Sequence, residues 1–197
     1  MSITRAKTSS VAQGPSTKKT LLGGNDVILG GSYDAIGTVT VGSGGQSTIS
    51  FTSIPGTYKH LQIRILARGT NASNEIAIVP QINGVTGNNY TQHGIFADGA
   101  SVVAAGSIND NAVIQRFPGA SATASIFGTA VVDFVDYANA NKKPVMRALG
   151  GVDRNGAGAV GFYSTMIQTN GAITQLTFNP SLGNFAEYSQ FDLYGIK

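Results

Sequence analysis

The chemically capable residues of this chain are two closely spaced carboxylates, two histidines and several glycine-rich turns. Asp133 and Asp136 stand three apart in Val131-Val132-Asp133-Phe134-Val135-Asp136-Tyr137, a run whose apolar alternation predicts a strand. Period-two geometry sends their side chains to opposite faces, whereas a glycosidase pair needs both carboxyls on one cleft. Each is therefore expected to be an edge or turn-proximal carboxylate. His60 falls on the polar face of its strand beside Arg64, and His93 lies in Tyr90-Thr91-Gln92-His93-Gly94. No Gly-x-Ser-x-Gly elbow accompanies them, and neither has a partner at metal-ligand spacing. Both read as surface or interface histidines. The chain has no cysteine, which removes thiolate catalysis, disulfides and cysteine-ligated metals together. The expectation is a non-enzymatic protein without cofactor or metal.

The glycine-rich segments support the same reading. Gly42-Ser43-Gly44-Gly45 is followed by neither Lys-Ser/Thr nor a helix, so it is a loop and not a phosphate cradle. Asp153-Arg154-Asn155-Gly156-Ala157-Gly158 has one carboxylate and lacks the closing Glu of a calcium loop. It reads as a β-turn. The chain has no Trp, and its Tyr and Phe residues mostly alternate along strands, which suits core packing. A shallow sugar site would have to draw on Tyr90, Tyr163 and Tyr188.

The elements that position these residues are short strands separated by turn formers. Lys59 to Arg68 is the clearest: Leu61, Ile63 and Ile65 share one face, while His60, Gln62 and Arg64 share the other. Further strands are predicted near Ile36 to Val41, Thr48 to Thr52, Glu75 to Ile82, Tyr90 to Phe96, Ser125 to Tyr137, Pro144 to Leu149, Val160 to Gln168, Thr174 to Phe178 and Tyr188 to Ile196. Asn83-Gly84, Asp98-Gly99, Asn155-Gly156 and Asn170-Gly171 tolerate positive φ, and Pro55-Gly56 suits a type II turn. A single turn of helix fits only at Ala122 to Ala130, and no fixed-period repeat occurs. The fold expected is all-β: an antiparallel, jelly-roll-like sandwich over residues 31–197, preceded by an extended basic arm over residues 1–30.

Charge separates these two parts. Charged residues make up 12% of the 197, about half the usual ~25%. Arg5, Lys7, Lys18 and Lys19 give residues 1–25 a charge of +4, against −1 for the rest. The arm is too poor in apolar residues to order itself alone, so a partner is expected to hold it. Four dispersed cations without an aromatic for base stacking argue against nucleic acid as the partner, and an acidic protein surface fits better. No apolar run follows Arg5 or Lys19 as in a signal peptide. No stretch of about 18 apolar residues predicts a membrane helix.

Phe51-Thr52-Ser53-Ile54-Pro55-Gly56-Thr57-Tyr58-Lys59-His60-Leu61-Gln62-Ile63-Arg64 resembles the early strand pair of β-sandwich structural proteins from tailed bacteriophages. Phe191-Asp192-Leu193-Tyr194-Gly195-Ile196-Lys197 resembles the terminal strand of such proteins, and Ser2-Ile3-Thr4-Arg5-Ala6-Lys7 resembles a virion arm. The resemblance implies a virion location and a homo-oligomer, most often a trimer. The function expected is capsid decoration or cement, with the arm clamping the major capsid protein. Arg5, Lys7, Lys18 and Lys19 would meet acidic shell residues, while Leu21, Leu22, Val27, Ile28 and Leu29 would anchor the arm's apolar end. The alternative is a tail or head fibre module that recognises host surface glycan.

Overall fold

The computed structural model describes residues 17–22 and 25–197. In chain order the strands are β1 (Thr17–Leu22), β2 (Asn25–Gly30), β3 (Tyr33–Thr40), β4 (Ile49–Phe51), β5 (His60–Ala67), β6 (Glu75–Ile82) and β7 (Tyr90–Ala97), followed by β8 (Val102–Asp110), β9 (Arg116–Pro118), β10 (Gly128–Val135), β11 (Val145–Asp153), β12 (Gly158–Ile167), β13 (Leu176–Pro180) and β14 (Gln190–Ile196). An eight-stranded sheet, ordered β3-β14-β5-β10-β11-β12-β7-β8, faces a four-stranded sheet ordered β4-β13-β6-β9. Every pairing is antiparallel. The chain is thus the antiparallel β-sandwich that its alternating pattern predicts.

Alternation builds the core. Leu61, Ile63 and Ile65 of β5 and Ala130, Val132 and Phe134 of β10 point inward from the large sheet, where they meet Ile76, Ile78 and Ile82 of β6 and Leu176 and Phe178 of β13. Phe178, Phe191 and Phe185 carry this contact from one sheet to the other, with centroids 5.7 Å apart for the first pair and 4.9 Å for the second. Burial of each such ring is worth about 1.5–3 kcal/mol over leaving it in water. The two segments that carry the phage resemblance are neighbours here: β14 pairs with β5 through Phe191↔Ile65, Leu193↔Ile63 and Gly195↔Leu61.

Turn chemistry explains the β11–β12 hairpin and the turn that leaves β6. Asn155 and Gly156 take φ of 65° and 99° between β11 and β12, where the Arg154 N–H donates to the Ala157 carbonyl. Asn83 and Gly84 take 52° and 72°. Pro55-Gly56 departs from expectation, because Gly56 lacks the positive φ of a type II turn and Ser53 carries it instead, at 55°.

Other departures have tertiary causes. The residues expected to offer a helical turn, Ala122 to Ala130, lead through turns into β10, which begins only at Gly128. Arg68 holds this stretch open. Its guanidinium donates to the carbonyls of Ala122 and Thr123, each at 2.7 Å, of Ile126 at 2.9 Å and of Ala120 at 3.3 Å. These carbonyls therefore serve a side chain and not a helix. Strand β8 departs from expectation because Val102-Val103-Ala104-Ala105-Gly106 shows no alternation, and β9 because its three residues are too few to show a period. β8 occupies an edge where this run is exposed on both faces.

Within the stretch read as an arm, β1 and β2 form a separate two-stranded sheet. Lys18, Lys19, Leu21 and Leu22 lie on β1, and Val27, Ile28 and Leu29 on β2, with Lys18 opposite Leu29 and Lys19 opposite Ile28. Arg5 and Lys7 fall outside the described residues.

Candidate interaction surface

The carboxylates come to rest in two different structural roles. Asp133 projects from the outer face of β10, where Gln62 Nε2 donates to it at 2.9 Å and Arg147 lies 3.8 Å away. Asp136 is not on the strand, as the sequence pattern had placed it, but beyond its end, at φ 53°. Its carboxylate accepts from Lys142 and from Asn139, and the Lys142 hydrogen bond above all holds its pKa below the ordinary aspartate value. Its backbone N–H donates to His60 Nδ1 at 3.0 Å, which fixes the His60 proton on Nε2. Asp133 and Asp136 do not share a cleft.

His93 is exposed on the outer face of β7, opposite Ser164 of β12 and Gly106 of β8. Among the described residues, no three His, Asp or Glu side chains gather as a metal site would require. Tyr90 cannot be a sugar platform. It is buried in the core, where its hydroxyl accepts from the Ile82 N–H at 3.1 Å and donates to the Val85 carbonyl at 2.8 Å. Desolvation raises its pKa. Tyr163 is half-buried against the core and Tyr188 is exposed.

The outer face of the large sheet is where the molecule departs from an ordinary surface. An antiparallel sheet with one wet side normally places polar residues there, and β3, β14 and β5 do so. Thr38 Oγ1 donates to Asp192 at 2.7 Å, Gln62 Oε1 accepts from Arg64 at 3.1 Å, and the Arg64 guanidinium stacks on Tyr194 and Tyr33 at 5.0 and 5.6 Å. From β10 onward apolar rows enter the same face, beside the polar row Asp133, Arg147, Ser164 and His93. Strand register places Val131, Leu149, Phe162, Ile95 and Ala104 side by side across five strands. A second row adds Val160, Ala97 and Val102.

Val131, Leu149, Phe162, Ile95 and Val160 are each 40–56% exposed. With Val102 they present an apolar area on the order of 600 Å², at the upper end of the largest patch on a typical monomer. Leu149, Phe162, Ile95, Val160 and Val102 also line a groove of about 230 Å³ in this patch. Alternation gives no warning of this, because it marks Val131 and Leu149 only as strand residues. The signal lies in apolar residues at both parities of β10, as in Ala130-Val131-Val132.

Compared with protein-family models, curated proteins and solved structures, the chain finds no match. Among the described residues no helix is long and apolar enough to cross a membrane.

Proposed function

We propose that this chain is a non-enzymatic bacteriophage virion protein, a capsid decoration or cement subunit whose apolar half-face seats on the major capsid protein. The observation that carries this reading is the register-aligned row Val131, Leu149, Phe162, Ile95 and Ala104, left in water on the outer face of the large sheet. An apolar row of this breadth, edged by the polar row Asp133, Arg147, Ser164 and His93, is suited to a broad docking contact with an apolar centre and a polar rim. The phage resemblance of Phe51 to Arg64 and Phe191 to Lys197, and the charge contrast between arm and body, support the same reading. In it, Arg5, Lys7, Lys18 and Lys19 meet acidic shell residues, and Leu21, Leu22, Val27, Ile28 and Leu29 secure the arm.

The test is occupancy on purified particles, measured by quantitative mass spectrometry. Hundreds of copies per particle are expected, with a sharp fall for a chain lacking residues 1–25 and for the Leu149→Lys, Phe162→Lys double variant. A copy number of a few dozen or fewer, or occupancy unchanged in both variants, would overturn the proposal.

A further inference from the structure

The eight-stranded sheet ends in two edges, β3 and β8, and among the described residues only one of them is protected. β3 is interrupted where its pairing shifts between Leu193 and Tyr194, which leaves Ile36 with no residue opposite, and it carries Asp34, ion-paired to Lys197 at 2.6 Å. Bulges and charges are the usual devices that stop an edge from recruiting another strand. β8 has neither from Val102 to Ile108. Its register against β7 is unbroken from Val102↔Ala97 to Ile108↔Thr91, and the shift comes only beyond Ile108. The run Val-Val-Ala-Ala-Gly-Ser-Ile carries no charge, and Val102 through Gly106 are exposed on both faces.

We propose that β8 pairs with β8 of a second copy of this chain, antiparallel, about a two-fold axis at Ala105. The occupant follows from the self-complementarity of the strand. Centred on Ala105, every residue from Val102 to Ile108 gains a cross-strand neighbour, and Asp110 of each copy falls outside the seam at opposite ends.

Residues opposite the outward-facing Ala97, Ile95, His93 and Thr91 are Val102, Ala104, Gly106 and Ile108. The two-fold keeps these on the outer face, because it pairs even-numbered positions with even-numbered positions. Val102 and Ile108 are 74% and 71% exposed, the most exposed large hydrophobics among the described residues. The axis places Val102 directly against Ile108 of the partner subunit, while Ala104 meets Gly106 of the partner subunit, where little side-chain volume has to fit. Two apolar half-faces then join into one surface across a continuous sheet. A three-fold ring through these edges would instead need β8 to add to the bulged β3. This pairing is independent of any placement in a virion.

The test is sedimentation velocity on the full chain at about 1–100 μM, within the range of weak to moderate interfaces. The expected species has twice the 20.3 kDa chain mass. Ala105→Lys and Ala105→Glu each place like charges directly opposite at the axis, so each variant alone should be a folded monomer by circular dichroism. Mixing the two in equal amounts should restore the dimer. Independently, Ala105→Cys, the sole thiol in this chain, should form a disulfide-linked dimer under mild oxidation, since directly opposed Cα atoms of an antiparallel pair lie about 4.5–5.5 Å apart, within the span of a disulfide. A monomeric or trimeric parent, a dimer that survives Ala105→Lys, a mixture that stays monomeric, or no crosslink through Ala105→Cys would overturn the pairing.

Discussion

Replacing Arg68 tests whether one guanidinium organises the crossing between the two sheets. The side chain reaches from the end of β5 to four backbone carbonyls between Ala120 and Ile126, in the connection from β9 of the small sheet to β10 of the large one. A hydrogen bond from a charged donor contributes about 1.5–3 kcal/mol where it is sheltered. The bonds to Ala122 and Ile126 are partly buried, whereas those to Ala120 and Thr123 are exposed and count for little. Arg68→Met keeps most of the aliphatic stem and removes every donor, so a loss of about 3 kcal/mol is expected. That is a large share of a total stability of about 5–15 kcal/mol.

Arg68→Lys should recover less than half of this loss, because an ammonium offers its donors from one point and cannot span several carbonyls as a planar fork does. Equilibrium urea unfolding of parent and variants measures both effects, and amide exchange over residues 119–127 should accelerate in the same order. A loss below about 1 kcal/mol for Arg68→Met, or full recovery with lysine, would refute the clamp.

Tyr90 makes stability depend on alkaline pH. Burial raises its folded-state pKa above the ordinary 10.0, so between these values the unfolded chain has released a proton that the folded chain retains, and stability falls as pH rises above about 10. Tyr90→Phe should flatten that decline in urea titrations, while costing about 1–2 kcal/mol at neutral pH through the unpaired Ile82 N–H. Leu149→Lys and Phe162→Lys, which alter the outer face and not the core, should change unfolding free energy by no more than about 0.5 kcal/mol. Both should reduce binding of an environment-sensitive hydrophobic dye, and retention of full dye binding would place the accessible apolar surface elsewhere.

The sequence alone determined that this chain forms an antiparallel sandwich, because a period of two is a local property. Leu61, Ile63 and Ile65 mark the buried side of β5 wherever the strand lies, and Asn155-Gly156 closes a hairpin by its own φ preferences. The charge contrast between arm and body was legible in the same way.

Tertiary structure decided what alternation cannot encode. Whether Val131 and Leu149 face a second layer or water depends on which side of the eight-stranded sheet the four-stranded one packs, and it packs on the side of Ala130, Val132 and Ala148. Tyr90 became a core residue because its hydroxyl found partners at Ile82 and Val85. Asp136 left the strand because β10 ends at Val135 and the next residue turns. Val102 to Gly106 carried no recognisable period for a physical reason: a strand exposed on both faces has no inside to alternate against, so only its pairing with β7 reveals it as a strand.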